Sequence, residues 1–136
     1  MNYKNNPGNL RFSKKNNWVG QIEPRNGFCQ FESMAAGFRA MVKTIASYRE
    51  KGAISLSDII SRYAPESDGN DTRKYIEIVA NELNVFKDWV PSDRISCIRL
   101  ATAMVKVEQS REGLNEFQRW IKNASMQTLL NICFNA

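Results

Sequence analysis

The sequence contains no histidine among its 136 residues. This absence excludes catalytic triads that depend on an imidazole base, and it excludes zinc sites with histidine ligands. A cysteine nucleophile would also lack its usual imidazole partner. Any catalytic chemistry must therefore depend mainly on carboxylates, hydroxyls and amides.

Cysteine is scarce, with Cys29, Cys97 and Cys133 far apart and set among apolar residues. No C-x-x-C pair is present, so the spacing predicts no zinc site and no redox motif. Three widely separated thiols are typical of small buried side chains in a reducing compartment. We expect neither a metal nor a cofactor.

Long hydrophobic runs are also absent, because no apolar stretch approaches the roughly 20 residues that a membrane-spanning helix needs. The polar start of the chain has no signal-peptide core. The sequence therefore predicts no membrane span and no signal peptide. Its length and its hydrophobic content of 43% are typical of one soluble domain, which we place over residues 1–136.

The formal net charge of +5 is uneven along the chain. Within the first 30 residues, Glu23 is outnumbered by five cationic side chains, Lys4, Arg11, Lys14, Lys15 and Arg25. A basic N-terminal lobe attracts polyanions such as nucleic acid, teichoic acid, anionic glycan or lipid head groups. A solvated basic loop explains the same charges equally well.

Residues 91–109 are predicted to form a helix that is apolar on most of its circumference. Pro91 and Ser92 are suited to its start. A helix of this kind belongs inside a domain, with its neighbours packed around it. Its two apolar stripes are Ile98, Ala101 and Val105, and Leu100, Met104 and Val107, while Arg94, Arg99 and Lys106 are left for solvent.

Glu108 lies near the end of this helix, on the same stripe as Ala101 and Val105. A glutamate is rarely buried without a partner, and burial raises its pKa by disfavouring the charged form. A carboxylic acid that stays protonated near neutral pH is suited to general-acid catalysis. Alternatively, Glu108 reaches water past the helix end or pairs with a lysine or arginine.

Three short runs near the N-terminus alternate apolar with polar residues, at 9–12, 18–22 and 28–31. We interpret them as two or three strands of a small antiparallel sheet, which needs helices to pack against. Helical periodicity follows in segments that begin at Ser33 and at Ser57, each of which is predicted to cap its helix, then at Asp71 or Thr72, at Leu114 and at Ser125. The predicted fold class is α+β, mostly helical with a small N-terminal sheet.

Several short motifs together resemble a family of small bacteriophage proteins that are usually described as virion structural proteins. The resemblance covers the chain up to Gln109. The motifs are Asn5-Asn6-Pro7-Gly8-Asn9-Leu10, Trp18-Val19-Gly20, Gly27-Phe28, Phe31, Gly37-Phe38-Arg39-Ala40, Ile60-Ser61-Arg62-Tyr63-Ala64-Pro65 and Asn70-Asp71-Thr72.

A second resemblance is to lysozyme-like enzymes, especially bacterial glucosaminidases and lytic transglycosylases. In those enzymes a catalytic glutamate ends a buried helix, in a context like residues 103–110 here, and a small sheet follows it. In this chain the asparagine-rich segment, the Trp-x-Gly segment and the Phe-bounded strand precede the glutamate. The resemblance therefore implies a circularly permuted lysozyme fold in one domain.

These resemblances imply a phage-associated glycosidase that cleaves peptidoglycan glycan strands, with Glu108 as the general acid. Glu32 is the first choice for a second carboxylate, with Glu23 and Asp71 as alternatives; a charge at the start of the Ser33 helix explains Glu32 equally well. Glycan clefts offer aromatic faces, amides and hydroxyls. The expected substrate-binding residues are Asn9, Trp18, Tyr63, Asn70, Asp71 and Tyr75, although Trp18 and Tyr63 also suit a core, and helix capping also explains Asp71.

A rival hypothesis is a non-catalytic virion protein that contacts DNA or another virion protein through its basic N-terminal lobe. Nucleic acid is the less favoured partner. A third hypothesis is an inhibitor of a host wall enzyme. For the enzyme, we expect a location in the virion, or in the host cytoplasm before release, and action at the bacterial cell wall.

Overall fold

The computed structural model describes residues 3–135. They form a two-stranded antiparallel sheet and six α-helices, which confirms the predicted α+β class. The strands are β1 (Gln21–Arg25) and β2 (Phe28–Phe31), and the helices are α1 (Met34–Glu50), α2 (Leu56–Tyr63), α3 (Thr72–Leu83), α4 (Arg94–Glu108), α5 (Arg111–Lys122) and α6 (Met126–Phe134).

The described chain divides into two compact units. The first unit contains the residues up to Lys43 together with those from Glu108 onward, and the second contains residues 44–107. The sheet, the first part of α1, and helices α5 and α6 belong to the first unit. Helices α2 and α3 and nearly all of α4 belong to the second.

In the first unit, β1 and β2 form a hairpin that turns at Asn26 and Gly27. Both residues have positive φ, 52° and 81°, and they separate the paired residues Arg25 and Phe28. Two left-handed residues in succession make the type of tight turn that suits the twist of a hairpin. The Asn-Gly dipeptide is the sequence signal for this turn.

The predicted strands at 9–12 and 18–22 differ from the structure. Trp18 and Gln21 enclose a turn, with a hydrogen bond of 3.1 Å from the Gln21 amide to the Trp18 carbonyl, so the strand begins only at Gln21. In the earlier run, Arg11 alone makes an isolated bridge, to Phe28. Asn9 is left-handed, with φ of 51°, which is incompatible with an extended strand.

Helix α1 begins as predicted, with the Ser33 hydroxyl accepting a hydrogen bond of 3.1 Å from the Ala36 amide. Gly37 is buried in its first turns. A Cβ atom at this position would lie 1.8 Å from the carbonyl oxygen of Asn5. Only glycine permits this approach, so residues 5–7 lie directly against the helix backbone.

In the second unit, α2 is capped by Ser55 and not by Ser57 as predicted. The Ser55 hydroxyl accepts a hydrogen bond from the Asp58 amide, and the Asp58 carboxylate accepts one from the Ser55 amide, at 3.1 and 3.2 Å. This reciprocal pair is a capping box. Both serines precede a helical pattern, and the Asp three residues after Ser55 distinguishes them.

Helix α4 has the two buried stripes that the sequence predicted. Val107 is half-buried and the other five stripe residues are buried, while Arg94, Arg99 and Lys106 are exposed. The helix begins at Arg94, later than predicted, because the Asp93 carboxylate accepts a hydrogen bond of 2.7 Å from the Ser96 amide. Cys29, Cys97 and Cys133 are buried free thiols, as expected.

Phe86 departs from expectation in the connection between α3 and α4. The apolar residues Val85, Phe86 and Trp89 predict that residues 84–90 pack against the fold, but the Phe86 side chain is 85% exposed. The main chain that follows Phe86 is fixed, because the Leu56 and Ser57 amides donate to the carbonyl oxygens of Trp89 and Lys87.

Candidate functional site

Glu108 is the last residue of α4 and is partly buried in the first unit. The Asn9 side-chain amide donates hydrogen bonds to its main-chain carbonyl oxygen, at 2.5 Å, and to its carboxylate Oε1, at 3.2 Å. Glu108 was expected on a buried stripe at a helix end, and this is where it lies. The contact to Asn9 was not predicted.

The next residue, Gln109, also forms hydrogen bonds with the N-terminal segment that carries Asn9. Its Nε2 donates to the main-chain carbonyl oxygens of Asn6 and Pro7, both at 2.9 Å, and to Asn9 Oδ1 at 3.3 Å. Because Asn9 Oδ1 accepts from Gln109, the Asn9 amino group is turned toward Glu108. Gln109 therefore fixes the orientation of the donor that contacts the glutamate.

The segment that carries Asn9 is itself cross-linked by Asn6, which is 2% exposed. Asn6 Nδ2 donates to the carbonyl oxygens of Leu10 and Cys29, at 3.0 and 2.8 Å, and Asn6 Oδ1 accepts from the Leu10 amide at 2.9 Å. A buried amide with these partners offsets its desolvation and specifies one loop conformation. The Asn-rich motif thus builds a rigid support for Asn9.

Trp18 and Glu32 also belong to the first unit. Trp18 is half-buried and packs against the cluster of Cys29, Phe31, Ala36 and Ala40. Glu32 follows β2 and is exposed, and its amide donates to the Gly20 carbonyl oxygen at 2.9 Å. A Cβ atom at Gly20 would lie 2.6 Å from the Ala36 Cβ atom and 3.2 Å from the Glu32 Cγ atom, so the glycine of the Trp-x-Gly motif allows the chain to pass close to both residues.

The other four predicted binding residues belong to the second unit, where each has a structural contact. Tyr63 packs edge-on against Tyr48 with ring centroids 6.3 Å apart. Asn70 Nδ2 donates to the Pro65 carbonyl oxygen at 3.1 Å, and the Asp71 carboxylate caps α3 by accepting from the Lys74 amide at 3.2 Å. Tyr75 is 5% exposed, and its hydroxyl donates to the Met104 carbonyl oxygen at 3.5 Å.

These contacts explain the Ala-Pro and Asn-Asp-Thr motifs of the second unit in terms of folding. The Thr72 hydroxyl donates to the Ala64 carbonyl oxygen at 2.6 Å, which ties the end of α2 to the start of α3. Ser57 and Phe86 are among the residues that line a groove of about 1160 Å³ in this unit.

A second groove, of about 800 Å³, lies in the first unit. Residues from the N-terminal segment, the hairpin, α1 and α5 line it, and they include Tyr3, Lys4, Glu116 and Trp120. Residues 3–135 contain no group of three acidic or cysteine side chains placed to hold a metal ion. Within the same residues, none of the helices has the length and apolarity to cross a bilayer.

The residues that sequence reasoning missed are those whose partners are remote in the chain. Gln109 and Asn6 are 103 residues apart, yet a hydrogen bond joins them. The only local signals were Gly37 inside a helix and the run of asparagines before it. Neither signal predicts which distant residue makes the contact.

Comparison with known proteins shows similarity to a phage protein. No protein-family model matches the sequence. Over 88 residues the chain is 34% identical to Protein P5 of Pseudoalteromonas phage PM2, an alignment that covers 60% of this chain and 53% of that protein. The chain thus spans about half the length of the curated relative that it matches. The expected phage relationship is supported in this general form, and the chain is similar to a phage protein.

Proposed function

We propose that this protein is a phage-associated glycosidase that cleaves the glycan strands of peptidoglycan, with Glu108 as its general acid. The observation that supports the proposal is the contact between Glu108 and Asn9, in which a partly buried carboxylate at a helix end is held by a fixed amide. Similarity to a phage protein supports the proposed association with a phage. The lysozyme-like domain over residues 1–136 is part of the same proposal.

In the proposed mechanism, protonated Glu108 donates its proton to the glycosidic oxygen while the sugar acquires oxocarbenium character. Negative charge develops on the Glu108 carboxyl group as the proton leaves. The N–H group of Asn9 points at Oε1 and stabilises that charge more strongly than it stabilises the neutral acid. Asn9 would therefore assist the transition state more than the bound substrate.

A second carboxylate would act on the opposite face of the sugar. Glu32 is the first candidate because it is exposed in the first unit, and Glu23 is the other candidate there. Asp71 is less suited, since its carboxylate already caps α3. A separation of about 5 Å between the two carboxyl groups implies retention of configuration, and about 6.5–9.5 Å implies inversion.

Among the predicted substrate contacts, Asn9 and Trp18 accompany Glu108 in the first unit and carry the proposal. The other four predicted contacts could bind a sugar only through groups that their structural contacts do not use. These residues are Tyr63, Asn70, Asp71 and Tyr75. The expected partners are glycan strands and other virion proteins. The expected location is the virion, with action at the host cell wall.

The decisive experiment is zymography on purified peptidoglycan with the wild type, Glu108→Gln and Glu50→Gln. Gln keeps the shape of the side chain and cannot donate a carboxylic proton. We expect clearing by the wild type and by Glu50→Gln, whose exposed carboxylate ends α1, and a loss of at least a hundredfold in Glu108→Gln. Equal clearing by all three proteins would remove Glu108 as the acid, and no clearing by the wild type would reject the enzyme.

The second candidate is a non-catalytic virion protein that contacts DNA or another virion protein. Arg11, Lys14 and Lys15 are all exposed in the first unit, which favours a polyanion contact. We expect DNA affinity that falls steeply with added salt, because bound counterions are released. The measurement is fluorescence polarisation of labelled DNA across a salt series, with Lys14→Gln/Lys15→Gln as the variant. Binding that is absent, or unaffected by salt, would contradict this candidate.

A further inference from the structure

The groove of about 800 Å³ in the first unit has an unusual lining, which combines both signs of charge with two aromatic rings. We call it the charged groove. The residues that matter for its chemistry are Tyr3, Lys4, Glu112, Glu116, Arg119 and Trp120. Neither the proposed mechanism nor the predicted substrate contacts use any of these side chains.

One wall of the charged groove is held in place by hydrogen bonds between the N-terminal segment and β2. The Lys4 carbonyl oxygen accepts from the Phe31 amide at 3.0 Å, and the Lys4 amide donates to Gln30 Oε1 at 3.2 Å. Asn5 Nδ2 donates to the Phe31 carbonyl oxygen at 3.1 Å. The backbone that carries Tyr3 and Lys4 is thus fixed alongside β2, so the wall is formed before any ligand arrives.

The aromatic surfaces of the groove are also fixed. Tyr3 stacks on Phe28 with ring centroids 4.5 Å apart, and the Arg25 guanidinium lies 5.2 Å from the centre of the Tyr3 ring. Trp120 packs against Phe38, with ring centroids 5.6 Å apart. Two rings with restricted motion offer apolar area at a low entropic cost.

Four of the five charged side chains that line the groove do not neutralise one another, and the fifth, Arg25, lies over the Tyr3 ring. Within residues 3–135, Lys4, Glu112, Glu116 and Arg119 make no ion pair. All four residues are exposed. Glu112 and Glu116 are four positions apart on α5, so they share a helix face. A ligand that carries both a carboxylate and an ammonium group would satisfy both kinds of charge.

We propose that the charged groove binds the peptide stem of peptidoglycan, an inference that rests on the proposed function. A stem peptide carries separated carboxylates, which match Lys4 and Arg119, and in many walls a free amino group, which matches Glu112 and Glu116. Its aliphatic parts match the faces of Tyr3 and Trp120. A glycan strand whose muramyl carboxyl groups are joined to peptide has no such charges, and a phosphate group of DNA or lipid would leave the two glutamates without a cationic partner.

The test is isothermal titration of the full chain with a synthetic stem tetrapeptide, L-Ala-γ-D-Glu-meso-diaminopimelate-D-Ala. We expect the wild type to bind, and we expect Glu116→Gln and Arg119→Gln each to weaken binding about tenfold, since each removes a charge-assisted hydrogen bond. Lys122→Gln is the matched control, because Lys122 is exposed on the same helix and does not line the groove. Circular dichroism checks that each variant is folded.

Two results would overturn the inference. One is a wild type that does not bind the tetrapeptide, and the other is folded groove variants that bind as tightly as Lys122→Gln. A linear peptide of L-amino acids with the same charges is the specificity control. Equal affinity for that peptide would reassign the groove to docking of a protein segment and reject the stem peptide.

The outcome for the groove can be separated from the outcome for Glu108. Glu108→Gln should lose cleavage and keep tetrapeptide affinity. Arg119→Gln should cleave intact peptidoglycan about tenfold less efficiently and cleave strands stripped of peptide at the wild-type rate. If the wild type binds the tetrapeptide but cleaves neither substrate, the glycosidase proposal is rejected and the peptide-binding groove is retained. If it cleaves but does not bind the tetrapeptide, the groove proposal is rejected and the glycosidase is retained.

Discussion

The side-chain amide of Asn9 donates to both the main-chain carbonyl oxygen and the carboxylate of Glu108, which is 99 residues away in the sequence. The contact joins the start of the chain to the end of α4. Asn9 also accepts from Gln109, so its amide has a defined orientation. These contacts place a fixed hydrogen-bond donor beside a partly buried carboxylate.

Replacing Asn9 with Asp should destabilise the protein, because it removes the N–H donor and places a second negative charge beside Glu108. We expect the free energy of unfolding at neutral pH to fall by about 2 kcal/mol. Urea denaturation measures the change. Asn17→Asp is the matched control, since Asn17 is an exposed residue of the same unit. Equal midpoints for the two variants would contradict the importance of the contact.

Replacing Gly37 with Ala should destabilise the fold, although alanine favours an isolated helix by about 1 kcal/mol. The added Cβ atom would lie 1.8 Å from the Asn5 carbonyl oxygen, and a main-chain atom cannot rotate out of the way. We expect a net loss of about 1–3 kcal/mol, as in other overpacked sites. Thermal and urea unfolding provide the measurement. A stabilised Gly37→Ala variant would show that residues 5–7 do not lie against α1.

Replacing Ser55 with Ala should lower the free energy of unfolding by about 1 kcal/mol, because the Asp58 amide loses its acceptor. Ser57→Ala is the control that the chain itself offers, since Ser57 lies in the first turn of α2 and does not cap it. The midpoints of urea denaturation of the two variants distinguish their effects. If Ser57→Ala proves the more damaging change, the helix is capped at Ser57 after all.

The same cap makes a contribution to the free energy of unfolding that depends on pH. The hydrogen bond from the Ser55 amide holds the pKa of the Asp58 carboxyl group below its ordinary value. A group with a lowered folded-state pKa contributes stability above its unfolded pKa, and loses it as the pH falls through the folded value. We therefore expect Asp58→Asn to destabilise at neutral pH and to match the wild type in strong acid, below about pH 2. An unchanged difference at both pH values would contradict the linkage.

The three thiols should resist modification while the protein is folded. Burial raises the pKa of Cys29 and Cys97, and it raises the pKa of Cys133 to about 12. The thiolate is the reactive form, so little of it exists at pH 8. We expect slow reaction with a disulfide reagent in buffer and rapid reaction of all three thiols in guanidinium chloride. Rapid reaction in buffer would show that the cysteines are accessible.

Much of the candidate site could be anticipated one residue at a time. Glu108 was identified by its place on an apolar stripe, and Asn9 by the amide that a sugar groove requires. Their contact could not be anticipated, because a sequence pattern describes neighbours within a few positions. The role of Gln109 could not be anticipated for the same reason, since its side chain donates hydrogen bonds to residues at the other end of the chain.

The sequence alone determined the helices, the α+β class and the buried thiols, because helical periodicity and capping depend on residues within one or two turns. The tertiary structure decided that Asn9 meets Glu108, that Gly37 lies against Asn5, and that charges from the N-terminal segment and α5 line one groove. Those relationships depend on which distant segments pack together. Packing is selected by the total burial and hydrogen bonding of the fold, and no local pattern encodes it.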